Sequence, residues 1–152
     1  MSAETPSGTS EARVVIGVDG SLNARLAALR AAAVFGSGAR YLLVAVTVTG
    51  GFASERRAQQ KALERTQRLL ADAGATTTTR SARDGDPADE LLAAAAEFGA
   101  TTIVVGARGA EMFIAGSDDS ARIGSVCKRL LDRREREVLV AHNPSATPQP
   151  AR

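Results

Sequence analysis

The chain has 152 residues, enough for one domain around one core and too few for two comfortable ones. Its hydrophobic fraction of 44% and charged fraction of 24% are those of an ordinary globular protein. Nineteen basic side chains nearly balance seventeen acidic ones, and the net charge of +2 exerts no strong pull toward nucleic acid or an anionic membrane.

Aromatic residues make up only 3% of the chain, with no Trp, one Tyr and four Phe. The core must therefore be built from Ala, Leu, Val and Ile, and the stacking platforms used by single-strand nucleic-acid binders are scarce. A single cysteine, Cys127, excludes an internal disulfide and metal sites made from Cys pairs. A single histidine, His142, excludes the common multi-His metal sites. No apolar run approaches the roughly 18 residues that cross a bilayer. The first dozen residues are polar and lack the apolar stretch of a secretory signal, so a cytoplasmic location is the expectation.

Residues 1–12 read as a disordered arm and residues 143–152, with three prolines, as a disordered tail. Between them strand and helix patterns alternate. Residues 13–18 are β-rich and apolar, and Gly20 breaks them. Ser21 is a natural N-cap for a helix running to Phe35, where Leu22, Leu26, Leu29 and Ala33 keep helical spacing. Residues 41–48 are apolar on both faces, which suits a central strand covered by helices on each side. Residues 54–73 form the clearest amphipathic helix, with Ala58, Ala62, Leu63, Thr66, Leu69, Leu70 and Ala73 on one face and Gly74 as its stop.

Residues 76–81 are β-branched but polar, as in an edge strand. Asp86 caps the next helix and Pro87 takes its first position, where the missing N–H costs nothing. That helix runs to Phe98 and stops at Gly99. Residues 102–105 make a fourth strand. After a long loop, Ile123, Val126, Cys127, Leu130 and Leu131 fall at helical spacing, and residues 137–141 make a fifth strand. The order β-α-β-α-β-α-β-α-β, without internal repeat, predicts one α/β domain over residues 13–142, with a parallel sheet and right-handed crossovers.

In open parallel sheets, ligands bind beyond the carboxyl ends of the strands where strand order reverses. Three segments lie there: Asp19-Gly20-Ser21, residues 47–51, and the loop starting at Gly106. That loop reads Gly106-Ala107-Arg108-Gly109, runs on to Gly124-Ser125 and enters a helix. Glycines let backbone N–H groups approach a phosphate, the helix start adds the positive end of its dipole, and Arg108 adds a charge. The same pattern also fits an ordinary turn. The P-loop and the dinucleotide fingerprint are both absent.

The segments VVIGVDGS (14–21), GDPADEL (85–91), IVVGARG (103–109) and GSVCKRLLDRREREVLV (124–140) resemble, in order, segments of the universal stress protein family. The resemblance covers roughly residues 13–142. It implies a doubly wound five-stranded parallel sheet of order 3-2-1-4-5 with helices on both faces, and a homodimer paired through the last strand. It also implies an adenine-nucleotide site, with ATP or AMP as ligand and Mg²⁺ accompanying ATP. On the family pattern that site would use Gly17, Asp19, Val46, Val105, Gly106, Arg108, Gly109, Gly124, Ser125 and Val126. Two departures stand out: fourteen residues separate Gly109 from Gly124 where the family has nine, and Cys127 stands where Ser or Thr is usual. The long loop also carries Glu111, Asp118 and Asp119, which repel phosphates unless a cation intervenes.

Several residues have a second reading. Asp19 serves either a ribose hydroxyl or its own turn. Ser125 caps a helix with or without a ligand. Cys127 reads as a packed thiol rather than a nucleophile. Arg129, Arg133, Arg134 and Arg136 serve either to bind anions or as complements to a helix dipole, and the dipole is the reading taken. No paired base and nucleophile marks an enzyme. The expected function is a nucleotide-binding regulatory protein, with a dimeric interaction module that binds no nucleotide as the alternative.

Overall fold

The computed structural model describes residues 12–48, 52–107 and 125–141. Nine elements alternate along them: β1 (Arg13–Gly17), α1 (Leu22–Phe35), β2 (Arg40–Thr47), α2 (Ala53–Asp72), β3 (Thr77–Asp84), α3 (Pro87–Phe98), β4 (Thr102–Gly106), α4 (Ser125–Arg133) and β5 (Glu137–Ala141). The strands form one sheet in the order β3-β2-β1-β4-β5, and every neighbouring pair is parallel. This is the doubly wound order that the family resemblance implies.

Both faces of the sheet are covered, which is why β1 and β4 read as continuous apolar runs. Val14 and Ile16 face α1 and α2, where they pack with Leu43, Leu63 and Leu70. Val15 faces α3 and α4, where it packs with Val44, Leu91, Ile103, Cys127 and Leu130. Tyr41 is fully buried, and its hydroxyl donates to the Gly36 carbonyl at 2.6 Å, tying the end of α1 to β2.

Local capping signals are realised as read. Ser21 Oγ accepts from the Ala24 N–H at 3.1 Å. Asp86 accepts from the Asp89 N–H, and Pro87 opens α3. Gly99 closes α3 in the left-handed conformation at φ 75°.

Helical spacing alone does not fix the buried faces. The stripe of Leu22, Leu26, Leu29 and Ala33 is not the buried face of α1. Leu22 and Leu29 are 49% and 41% exposed, whereas Ala24, Ala27, Ala28 and Ala31 are buried. The helix lies too close to the sheet for leucine: a Cβ on Gly106 of β4 would come within 2.7 Å of Asn23 in its first turn. Ala58 of α2 and Ala73 just beyond its end are exposed, and burial within the helix is confined to Ala62, Leu63, Thr66 and Leu70. Leu131 of α4 is also exposed. Strand β3 continues to Asp84, because backbone pairing with Ala45, Val46 and Thr47 of β2 holds its polar end regardless of side-chain polarity.

Candidate functional site

The crevice follows from where pairing stops. β1 and β4 pair only from Val14 with Thr102 to Ile16 with Val104. Beyond that, β1 stays with β2: the Val18 N–H donates to the Val44 carbonyl at 2.8 Å. β4 stays with β5: the Ala107 N–H donates to the Ala141 carbonyl at 2.8 Å. The two central strands therefore part company at their carboxyl ends, where strand order reverses.

A cavity of about 450 Å³ opens at this point on the face covered by α3 and α4. That volume lies in the range of small-molecule sites. Its floor is Gly17 and Val105, its sides are Val44, Val46, Leu91, Val126 and Cys127, and its rim carries Asp19, Asp86, Ser125 and Arg129. Gly17 keeps the floor low: a Cβ there would meet Val105 Cγ1 at 3.2 Å and the Leu91 methyls at 3.6 Å. A second, larger depression of about 700 Å³ lies at the other end of the sheet, between residues 99–101 and 131–138. It is a broad surface groove away from the carboxyl ends of the strands, so the smaller, better enclosed cavity is the candidate site.

Neighbouring elements fix the walls. Gln59 of α2 donates to the Val46 carbonyl at 2.6 Å and accepts from the Thr47 hydroxyl at 2.6 Å, which locks the end of β2 beneath α2. The Gly85 N–H donates to the Thr47 carbonyl, so the turn into α3 follows the same strand end. Asp19 accepts from the Ser21 N–H at 2.9 Å, so the turn role read for it is realised while the residue stands at the rim.

Of the residues expected at the site, Gly17, Asp19, Val46, Val105, Gly106, Ser125 and Val126 all line this one cavity. Arg108, Gly109 and Gly124 lie outside the described residues, as do Glu111, Asp118, Asp119 and His142. The glycine at 106 answers to helix packing, since the atoms its Cβ would strike belong to α1. Ser125 is the first described residue of α4, and Gly124 ahead of it lies outside the described residues. Cys127 is 2% exposed, and burial pushes its thiol up to about 11, which fits a packed thiol.

Arg129 departs from the dipole reading. It sits in the middle of α4 and pairs with Asp86, while Arg133 pairs with Asp89 at 2.9 Å and with Glu135 at 2.8 Å. The Arg129 hydrogen bond, aided by the Asp89 N–H, holds the Asp86 carboxyl below the usual carboxylate range. Asp86, Pro87 and Leu91 are wall residues that sequence reasoning missed, and Arg129 is one it assigned to the helix dipole over anion binding. The helix cap at Asp86, directly after a strand on the ligand side of the sheet, was the available signal.

Among the described residues, no three His, Cys, Asp or Glu side chains gather as a metal set. The Mg²⁺ expectation accompanies ATP, and Asp118 and Asp119 lie outside the described residues. No helix among the described residues is long and apolar enough to cross a membrane.

No curated protein matches the chain. Among solved structures, the universal stress protein UspA from Lactobacillus plantarum is similar with a TM-score of 0.71 at 19% identity, covering 86% of this chain and 97% of that one. A universal stress protein solved in complex with cAMP is similar with a TM-score of 0.65 at 25% identity, covering 86% of this chain and 97% of that one. The universal stress protein from Archaeoglobus fulgidus in complex with dAMP is similar with a TM-score of 0.66 at 18% identity, covering 87% of this chain and 98% of that one. The family model described as the universal stress protein family matches residues 12–142. The chain belongs to the universal stress protein family.

Proposed function

We propose that this chain is a cytoplasmic regulatory protein that binds an adenine nucleotide in the cavity between β1 and β4 and reports its occupancy. The observation that carries this reading is the shape and chemistry of the cavity. Val44, Val46, Leu91, Val105 and Val126 make an apolar slot suited to a planar base, and Asp19 stands at the rim where a sugar hydroxyl would donate. The related protein solved with cAMP, at 25% identity, supports the ligand class. ATP and AMP are the candidates. The phosphates would run toward the start of α4, whose N–H groups and dipole favour anions.

The reading includes no catalytic step. It also includes a homodimer through β5. That strand ends the sheet, and its Val138, Leu139 and Val140 are only half-buried in the single chain, so pairing with a second copy would cover both an open edge and an apolar strip. Light scattering should give twice the mass of one chain. The mass of one chain at micromolar concentration would remove the dimer from the account.

The test of binding is calorimetric titration of ATP and AMP, with and without Mg²⁺, into the protein and into Gly17→Val. The valine side chain fills the floor of the cavity, so binding should be present in the parent and lost in the variant. Equal binding by both would place the ligand elsewhere. A second reading, a dimeric interaction module without nucleotide, is favoured by the loop of fourteen residues with Glu111, Asp118 and Asp119. A flat titration together with a dimeric mass would select it.

A further inference from the structure

The ion pair on the cavity wall has an unusual division of labour. Asp86 uses one carboxylate oxygen, Oδ2, to cap α3 through the Asp89 N–H at 3.0 Å. Its other oxygen, Oδ1, accepts from Arg129 of α4. A second Arg129 nitrogen stands 4.0 Å from Asp89. One helical turn further on, Arg133 takes Asp89 and Glu135. Acid and base thus alternate along the seam between α3 and α4, and only its first members, Asp86 and Arg129, line the cavity.

Among the described lining residues, Arg129 is the one cation, set against two carboxylates, Asp19 and Asp86. An uncharged nucleoside meets no net repulsion in such a site. A phosphate is repelled by both carboxylates unless a cation turns to it. Arg129 is placed to do so. It lies four residues beyond Ser125, hence on the same side of α4, and the start of that helix is where an anion would come to rest. Its side chain is 47% exposed and that of Asp86 35% exposed, so the pair is solvated and can be exchanged at small cost. A guanidinium fork also fits a phosphate in a bidentate manner, and Asp86 would keep its bond to α3 after losing the arginine.

Resting on the nucleotide reading, we infer that Arg129 is the phosphate-recognising residue of this cavity and that Asp86 holds it in reserve, so that a nucleotide phosphate displaces Asp86 and the pair sets the preference for nucleotide over nucleoside. Asp86 is a competitor of the ligand in this arrangement and Arg129 is the shared partner. The two residues therefore have opposite effects when removed.

The experiment compares adenosine and AMP binding to the parent protein, Arg129→Gln and Asp86→Asn. Asparagine is as good a helix cap as aspartate, so the second variant removes charge without uncapping α3. The quantity read is the ratio of AMP to adenosine affinity. It should fall by about tenfold to a hundredfold in Arg129→Gln, the usual worth of a charge-assisted hydrogen bond, and rise severalfold in Asp86→Asn. Arg129→Lys should recover part of the ratio, and the salt dependence of AMP binding should weaken in Arg129→Gln. Adenosine and AMP binding with a ratio unchanged in both variants would overturn the role of Arg129 and leave the nucleotide reading standing. Absence of binding by either ligand to the parent protein would overturn both.

Discussion

Replacing Gly106 with alanine should destabilise the protein even though no contact is removed. The added Cβ would stand 2.7 Å from the carbonyl carbon and the Cβ of Asn23, and 3.0 Å from the amide nitrogen of Ala24. Two of these three atoms are backbone, so no change of rotamer relieves the clash. The start of α1 must retreat by roughly 0.7 Å to reach ordinary contact, and it carries the buried Ala24, Ala27, Ala28 and Ala31 with it. Overpacking of this kind costs about 1–3 kcal/mol. Restricting the unfolded chain by replacing a glycine returns about 0.4–1 kcal/mol. The net expectation is a loss of about 1–2 kcal/mol. Urea unfolding followed by circular dichroism should show the midpoint falling by about 0.5–1 M, given typical slopes for small proteins. Gly17→Ala is the control. Its Cβ meets only side-chain atoms, the nearest at 3.2 Å, so its midpoint should move less. A Gly106→Ala midpoint equal to that of the parent would refute the claim that α1 is held at a distance only glycine allows.

The same close approach predicts a reversal on α1: Leu29→Glu should change stability by no more than about 0.5 kcal/mol, whereas Ala28→Leu should cost about 1–3 kcal/mol, both by urea unfolding. Equal effects would place the leucine stripe in the core after all. Cys127 predicts a pH dependence. Its thiol rises from an ordinary value of 9.0 to about 11 on folding, so the unfolded chain gives up the proton first. Stability from this group is complete below pH 9 and lost as pH climbs to 11, by about 3 kcal/mol in all. Burial also raises the Tyr41 hydroxyl, so the comparison is with Cys127→Ala, which should lack the Cys127 share of the alkaline loss. Identical pH profiles for the two proteins would contradict the burial assigned to the thiol.

What was legible in the sequence was local or periodic. The caps at Ser21, Asp86, Pro87 and Gly99 are chemical signals within a few residues of the helix ends they define, and all four stand where the sequence placed them. The apolar run of residues 41–48 announces burial on two faces, the alternation of strands and helices leads to a parallel sheet, and the strand order follows from the likeness to the family. The face of α1 was not legible. Its leucines and its alanines each keep helical spacing, and the choice between them is made by the distance to β4, set at Gly106 by residues more than eighty positions away.

The site divides in the same way. Asp19 and Gly106 follow from the rule that ligands sit where strand order reverses, and Gly17, Val46, Val105 and Val126 from the likeness to the family. Asp86 and Arg129 are 43 residues apart, and nothing in either segment alone indicates that they meet. Their pairing depends on α3 and α4 lying side by side on one face of the sheet. A cluster of arginines late in the chain is equally consistent with a helix dipole, and the acidic partner on the neighbouring helix is a tertiary fact. The glycine at 106 shows the converse: a residue type expected of a phosphate cradle is required by the packing of a helix.

The central claim, that the cavity between β1 and β4 holds an adenine nucleotide, is tested most directly by denaturing the freshly purified protein and identifying what it releases. An adenine nucleotide near one equivalent per chain is the expected result, absent from Gly17→Val prepared in the same way. An empty parent protein that also takes up no ATP or AMP at millimolar concentration would contradict it.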